Sequence, residues 1–173
     1  MKILSPITLQ QQQQVLQKTA SYIHLAVDIY NKSIGQIPVY FDLKGRAAGM
    51  YVSEHKNQYI RYNPYIFAKY FDDNLLSTVP HEVAHYISDV LYGLRNIKPH
   101  GSEWKNIMLS FDSEPNITSD YDLTGIPVRQ LQRFEYQCGC RKHQLTAIRH
   151  NKVMRGKVSY RCKYCASPVV FCE

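Results

Sequence analysis

The chain has 173 residues, 45% of them hydrophobic and 20% charged, with a formal net charge of +7. That is enough apolar material for one ordinary domain or a small domain with an appendage, and it excludes wholesale disorder. The opening residues hold too short an apolar stretch for a signal peptide, and no run approaches the roughly 20 apolar residues of a membrane span, so the sequence reads as soluble, cytoplasmic and without a membrane partner. The charge is uneven: residues 129–173 carry 10 Lys+Arg against 2 Asp+Glu, whereas residues 1–128 carry 11 against 12. The basic surface therefore belongs to the C-terminal segment, where it can attract phosphate backbones.

In chain order, residues 8–31 are expected to be helical, with Val15, Leu16, Ile23, Ala26, Val27 and Tyr30 at helical spacing and Thr8 as N-cap. The period then shortens. Residues 37–41, 47–53 and 58–62 are strand candidates separated by turn-like segments at 42–45 and 54–57, which predicts a three-stranded antiparallel meander. Asn63 and Pro64 suit the cap and first position of a helix over 64–70. A further helix is expected from Asp72 or Asp73 to about Leu91, ending near Gly93, with a kink or fresh start close to His81 because Pro80 removes a donor. Residues 100–111 read as a helix with Trp104, Ile107, Met108 and Phe111 on one face, and 112–128 as a linker. Short strand-like runs follow over 134–172.

The chemistry centres on His81-Glu82-Val83-Ala84-His85. Residues four apart share a helix face, so both imidazoles can ligate one tetrahedral zinc. Glu82 can then serve as general base without ligating the metal. A catalytic zinc needs a third protein ligand, and Asp89, His100 and Glu103 are the candidates. Asp89 lies too far along the helix axis and suits a supporting role. His100 follows a turn that can bring the chain back, with Gly101 permitting close approach. Tyr51, Tyr62, Tyr65 and Tyr86 are candidates for stabilising an oxyanion, and 47–53 or 58–62 for a sheet edge that pairs with substrate.

In the tail, Cys162 and Cys165 form a C-x₂-C pair. Cys140 is the best third ligand for a second, structural zinc, and Cys138 and His143 compete for the fourth place, with Cys138 preferred. His150 is a weaker candidate, and Cys172 is left over. In a reducing compartment this spacing points to metal rather than disulfides. Arg141, Lys142, Arg149, Lys152, Arg155, Lys157, Arg161 and Lys163 surround these cysteines, with Tyr136, Tyr160 and Tyr164 interleaved, which suits DNA or RNA binding through phosphate contacts and base stacking.

His81–His85 followed by His100-Gly101-Ser102-Glu103-Trp104 resembles the SprT-like metallopeptidases, as do Ile60–Pro64, Tyr136–Cys140, Arg149–Asn151 and Tyr160–Cys165. The resemblance implies an α+β fold: a minimal zincin-type domain over 1–128 (N-terminal helix, three-stranded antiparallel sheet, the helix bearing the His-Glu-His motif, and a following helix), then a zinc-ribbon-like module over 129–173. It makes His100 the third ligand and implies a zinc metalloendopeptidase with a protein substrate. Spartan, a eukaryotic relative, cleaves proteins crosslinked to DNA, which extends the expectation to nucleic-acid-associated substrates. The alternatives are a non-catalytic DNA- or RNA-binding zinc protein that keeps the zincin domain as a scaffold, or an adaptor that docks a partner through the basic module.

Overall fold

The computed structural model describes residues 4–54, 57–117, 120–127 and 132–172. The chain divides into two compact units, Met1–Val128 and Arg129–Glu173. Both mix helices with a small sheet, so the fold is α+β. No described helix is long and apolar enough to cross a membrane.

In the first unit, helix α1 spans Leu9–Tyr30. Thr8 Oγ1 accepts from Gln11 N at 3.2 Å while Gln11 Oε1 accepts from Thr8 N at 2.9 Å, a reciprocal cap that satisfies two otherwise unpaired donors. Its buried residues, Val15, Thr19, Tyr22, Ile23 and Ala26, recur every three or four positions. Leu16, expected on that face, is 43% exposed.

Strands β1 (Val39–Tyr40), β2 (Gly49–Glu54) and β3 (Asn57–Tyr62) form a sheet in the order β1-β3-β2. The antiparallel meander is thus corrected. β2 pairs antiparallel with β3, from Gly49 opposite Tyr62 to Glu54 opposite Asn57, but β1 pairs with β3 in parallel. Burial decides the order: Ile60 and Tyr62 of β3 are fully buried, so β3 takes the centre. The segment between β1 and β2 then carries the chain across to the opposite edge. The turn expected at 54–57 has its central residues, His55 and Lys56, outside the described residues.

Helix α2 (Pro64–Lys69) is capped by Asn63, whose Oδ1 accepts from Tyr65 N and Ile66 N at 3.1 and 3.3 Å. Helix α3 (Phe71–Leu76) and helix α4 (Thr78–Tyr92) replace the single helix expected here. The break falls at Ser77, earlier than His81. Pro80 thereby lands in the first turn of α4, where a missing N–H costs nothing. Helix α5 (Ser102–Ser110) buries Trp104, Ile107 and Met108 against a core shared with α1, β3 and α4. Burying each such large side chain is worth roughly 1.5–3 kcal/mol.

The described part of the stretch expected to be a linker is docked instead. Tyr121 stacks on Tyr70 with ring centroids 4.5 Å apart and donates to Asp73. Lys69 Nζ donates to the Asp122 carboxylate and carbonyl, each at 2.8 Å, and Ile126 is buried with Ala48 and Ile66. Aromatic and aliphatic anchors spaced through a polar, Pro- and Gly-containing segment carry no periodicity, which is why the stretch reads as loose.

The second unit has strands β4 (Arg133–Gln137), β5 (Lys142–Thr146) and β6 (Val170–Phe171) in the antiparallel order β5-β4-β6, and a helix α6, Ala147–Met154. The helix was not expected, and it has no fully buried residue to give it a periodic signature. The core here is small: Tyr136, Leu145 and Cys162 are buried, and Phe134 stacks on His150 with centroids 3.7 Å apart. Tyr136 is fully buried, with its hydroxyl 3.0 Å from His150 Nδ1, so it is not available to stack on a base. A core of this size needs a further constraint to be stable.

Candidate metal centres

The first centre is assembled from α4 and the loop that follows it. His81 and His85 lie one turn apart on α4, and the chain leaves that helix through Gly93, with φ 78°. It returns at His100, which has φ 55°, a left-handed conformation uncommon for a residue with a side chain. Gly101 follows because a Cβ there would lie 2.9 Å from the Lys98 carbonyl oxygen. The result is a triangle of imidazole nitrogens: the Nε2 atoms of His81, His85 and His100 are 3.2, 3.0 and 3.1 Å apart.

A tetrahedral zinc with Zn–N bonds of about 2.0–2.1 Å has ligand edges of about 3.3 Å, so the donor set fits such an ion. Burial, with the neighbouring imidazoles adding to it, pushes His81 down to about 4 and His85 down to about 3, and desolvation lowers His100 as well. All three are therefore neutral near pH 7, the form that can ligate a metal. His81 Nδ1 lies 3.2 Å from the Asn116 carbonyl. A carbonyl can only accept, so the proton sits on Nδ1 and the Nε2 lone pair faces the other two rings. Trp104 lies beneath all three rings, with centroids 4.8, 5.6 and 4.7 Å away, and its Nε1 donates to the His81 carbonyl at 3.3 Å.

Glu82 stays out of the triangle and is 6% exposed. Its Oε2 accepts from the backbone N–H of Tyr51 at 2.7 Å. Burial pushes its carboxyl up to about 8, against the lowering effect of that N–H. Gly49 makes room for it: a Cβ there would lie 2.6 Å from Glu82 Cγ.

The rival third ligands lie elsewhere. Asp89 accepts from Tyr51 Oη at 2.6 Å and Gln58 Nε2 at 2.9 Å on one oxygen and from Leu94 N at 3.2 Å on the other. Glu103 accepts from Ser102 Oγ at 3.1 Å. The expected oxyanion donors are mostly committed: Tyr51 to Asp89, Tyr86 to the Gly35 carbonyl at 2.9 Å, and Tyr62 buried with Thr19 Oγ1 at 3.4 Å. Tyr65 packs beside the Ala48, Ile66 and Ile126 cluster. Asn116, Gly49 and the Tyr51 N–H were absent from the sequence reading. Two act through backbone atoms and the third through a missing side chain, and none of these has a residue-type signature.

The second centre lies in the second unit. The sulfurs of Cys138, Cys140, Cys162 and Cys165 all lie within 4.8 Å of one another. Cys138 is 3.5 Å from Cys140 and 3.7 Å from Cys165, and Cys140 is 3.7 Å from Cys162. Zn–S bonds of about 2.3 Å imply edges of about 3.8 Å, so four thiolates fit a zinc. His143 Nε2 sits 3.2 Å from the Cys138 sulfur, beside the cluster rather than in place of it. His150 is bonded to Tyr136 instead. Backbone N–H groups of Cys140 and Ser167 lower the Cys138 and Cys165 thiols, while the neighbouring thiols, Cys138 foremost, raise Cys140.

The basic residues are not equivalent. Lys142 pairs with Glu135 at 2.7 Å, and Arg161 Nη1 donates to the Ala166 carbonyl at 3.2 Å. The Arg141 guanidinium lies 3.5 Å above the Tyr164 ring and that of Arg149 5.9 Å from Tyr160. Arg149, Tyr160, Arg161, Lys163 and Tyr164 line a shallow cavity of about 330 Å³. Lys152, Arg155 and Lys157 are exposed beyond it.

The SprT-like family model matches residues 19–129. Protein SprT of Vibrio parahaemolyticus is 37% identical over 150 residues, covering 86% of this chain and 87% of that protein. Protein SprT of Shewanella oneidensis is 33% identical over 155 residues, covering 89% and 95%, and that of Pseudomonas savastanoi pv. phaseolicola 36% over 149 residues, covering 84% and 87%. No solved structure matches the chain. The matched segment includes the whole histidine triangle and the carboxylate beside it, and the relatives align with most of this chain and of their own length: the chain belongs to the SprT-like family.

Proposed function

We propose that this chain is a zinc-dependent metalloendopeptidase with a minimal zincin-type catalytic unit, and that its 129–173 unit is a zinc-ribbon-like module that brings it to protein substrates associated with DNA or RNA. The observation that carries the reading is the buried carboxylate of Glu82 beside three neutral imidazoles whose Nε2 atoms face one point. His81, His85 and His100 would hold the zinc, which when bound supplies a Lewis acid for the scissile carbonyl. Glu82, fixed by the Tyr51 N–H, takes the proton of the attacking water and returns it to the leaving amine. Trp104 and the Asn116 carbonyl keep the rings in place.

Of the two edges expected to pair with substrate, 58–62 is the central strand, which leaves β2. β2 passes directly beside Glu82, and an extended peptide added to its free side would lie across the histidines. A scaffold that only binds nucleic acid has no use for a buried carboxylate with a single backbone donor, since burying such a group is costly. A four-thiolate metal site requires reduced cysteines, so the reading includes a reducing, cytoplasmic setting.

The deciding experiment is Glu82→Gln. It is expected to keep both metals and to lower kcat on an unfolded protein substrate by roughly 10²–10⁴-fold, the range for losing a general base. Unchanged turnover would remove Glu82 from the mechanism.

A further inference from the structure

Gly49, His81 and Glu82 stand where two cavities meet, one on either side of the carboxylate, and the two differ in chemistry. The first, of about 390 Å³, is walled by Met50, Leu94, Ile97, Pro99 and Trp104. Met50 is 42% and Leu94 43% exposed at its mouth, so apolar surface is left facing water beside the site. Lys98 borders this cavity as well; its carbonyl is fixed by the Gly101 N–H at 2.9 Å, and a stem of four methylenes can line the apolar wall while the ammonium stays in solvent.

The second cavity, of about 280 Å³, is lined by Ala47, Ser77, Thr78, Asn116 and Ile117, with Arg46 as its one cation among the described residues. Arg46 is exposed and makes no ion pair among the described residues. Its backbone is held in place, since the preceding Gly45 has φ 97° and its carbonyl accepts from Asn63 Nδ2 at 3.2 Å. The Arg46 guanidinium shares this cavity with Glu82 but pairs with no described carboxylate, so it can meet a carboxylate on an incoming chain.

We propose that the cleft selects peptides carrying a large apolar side chain on one side of the cleaved bond and an acidic side chain on the other. The apolar residue fills the Met50, Leu94 and Trp104 cavity, and the acidic one pairs with Arg46. This rests on the peptidase reading and adds its substrate class. The selection needs no folded epitope: β2 supplies backbone pairing, and the two cavities read alternate side chains of one extended segment.

The test is cleavage of a diverse peptide mixture by the zinc-loaded full chain, with new termini identified by mass spectrometry. Apolar residues should be enriched on one flank of the cut sites and Asp or Glu on the other. Arg46→Glu should convert the acidic preference to a basic one while keeping the apolar preference, and Leu94→Ser should weaken only the apolar one. In a second arm, fluorescent peptides are titrated onto the Glu82→Gln variant. Replacing the acidic residue by Lys should weaken binding roughly tenfold, the scale of turning one charge pair into a like-charge clash. Cut sites without flanking preference, or an acidic preference that survives Arg46→Glu, overturn the proposal. If no peptide is cut by zinc-loaded chain, the peptidase reading fails, and the binding arm alone decides selectivity: a Kd indifferent to the charge swap overturns it.

Discussion

Gly49→Ala adds one methyl group to β2 and should disable the catalytic unit. An ideal Cβ at position 49 lies 2.6 Å from Glu82 Cγ, 2.7 Å from Glu82 Oε1 and 2.7 Å from Thr78 Cγ2. Favourable carbon–carbon contacts begin near about 3.5 Å, so each overlap is close to an ångström. Neither neighbour yields easily. The other oxygen of Glu82 is pinned at 2.7 Å to Tyr51 N, and Thr78 Oγ1 donates to Asn74 Oδ1 at 2.7 Å in the interior. Gly49 is not among the glycines with positive φ, so the cost is steric and not conformational. Overpacking of this kind costs about 1–3 kcal/mol, which lowers the melting midpoint of a unit this size by roughly 3–12 °C. A carboxylate displaced by about an ångström can cost roughly 10²-fold in rate. Thermal unfolding followed by circular dichroism, with kcat and KM on a protein substrate, measures both. Gly35→Ala is the control, because a Cβ there meets nothing within 4 Å. A Gly49→Ala variant that melts and cleaves like the wild type would refute the claim that this glycine exists to admit Glu82.

Asp89 and Tyr51 form a strut from α4 to the strand that holds Glu82, so Asp89→Ala and Tyr51→Phe should each lower kcat about tenfold, and their combination should cost little more than either alone; additive losses would mean the two act separately. Metal analysis of the purified chain should give two zinc ions, with His100→Ala losing one and Cys162→Ser the other; a full complement in either variant contradicts the corresponding donor set. The full chain should bind single-stranded DNA with an affinity that falls steeply between 50 and 200 mM salt (about 300-fold for some six phosphate contacts), and Tyr160→Ala or Arg149→Ala should weaken it several-fold, whereas affinity indifferent to salt would exclude a phosphate-driven contact.

Much of the first unit is legible because its signals are local. Thr8 and Asn63 announce helix starts through side chains that bond three residues away, and His81 and His85 announce a ligand pair through helical spacing alone. His100 is legible as a candidate through the turn before it and Gly101 after it, and resemblance singles it out, because its approach depends on a loop whose path is set by Gly93, Gly101 and the bond from Leu94 N to Asp89. The supporting contacts are illegible for a different reason. Asn116 offers a backbone carbonyl and Tyr51 a backbone N–H, groups that every non-proline residue possesses. In the tail, the cysteine pairs were readable from spacing, but α6 was not, because a short helix lying over a minimal sheet buries no full stripe.

The strand order is the misreading with functional weight. A meander would place β2 between β1 and β3, with both its sides consumed by sheet pairing. The Tyr51 N–H would then belong to a ladder, Glu82 would lose its donor, and no free edge would face the histidines. With β3 in the centre, β2 pairs on one side only, and its other side carries both the bond to Glu82 and the surface on which a substrate can be laid. The burial of Ile60 and Tyr62 thus does more than fill the core. By drawing β3 inward it frees the edge strand on which, under the proposed peptidase function, the base and the substrate would meet.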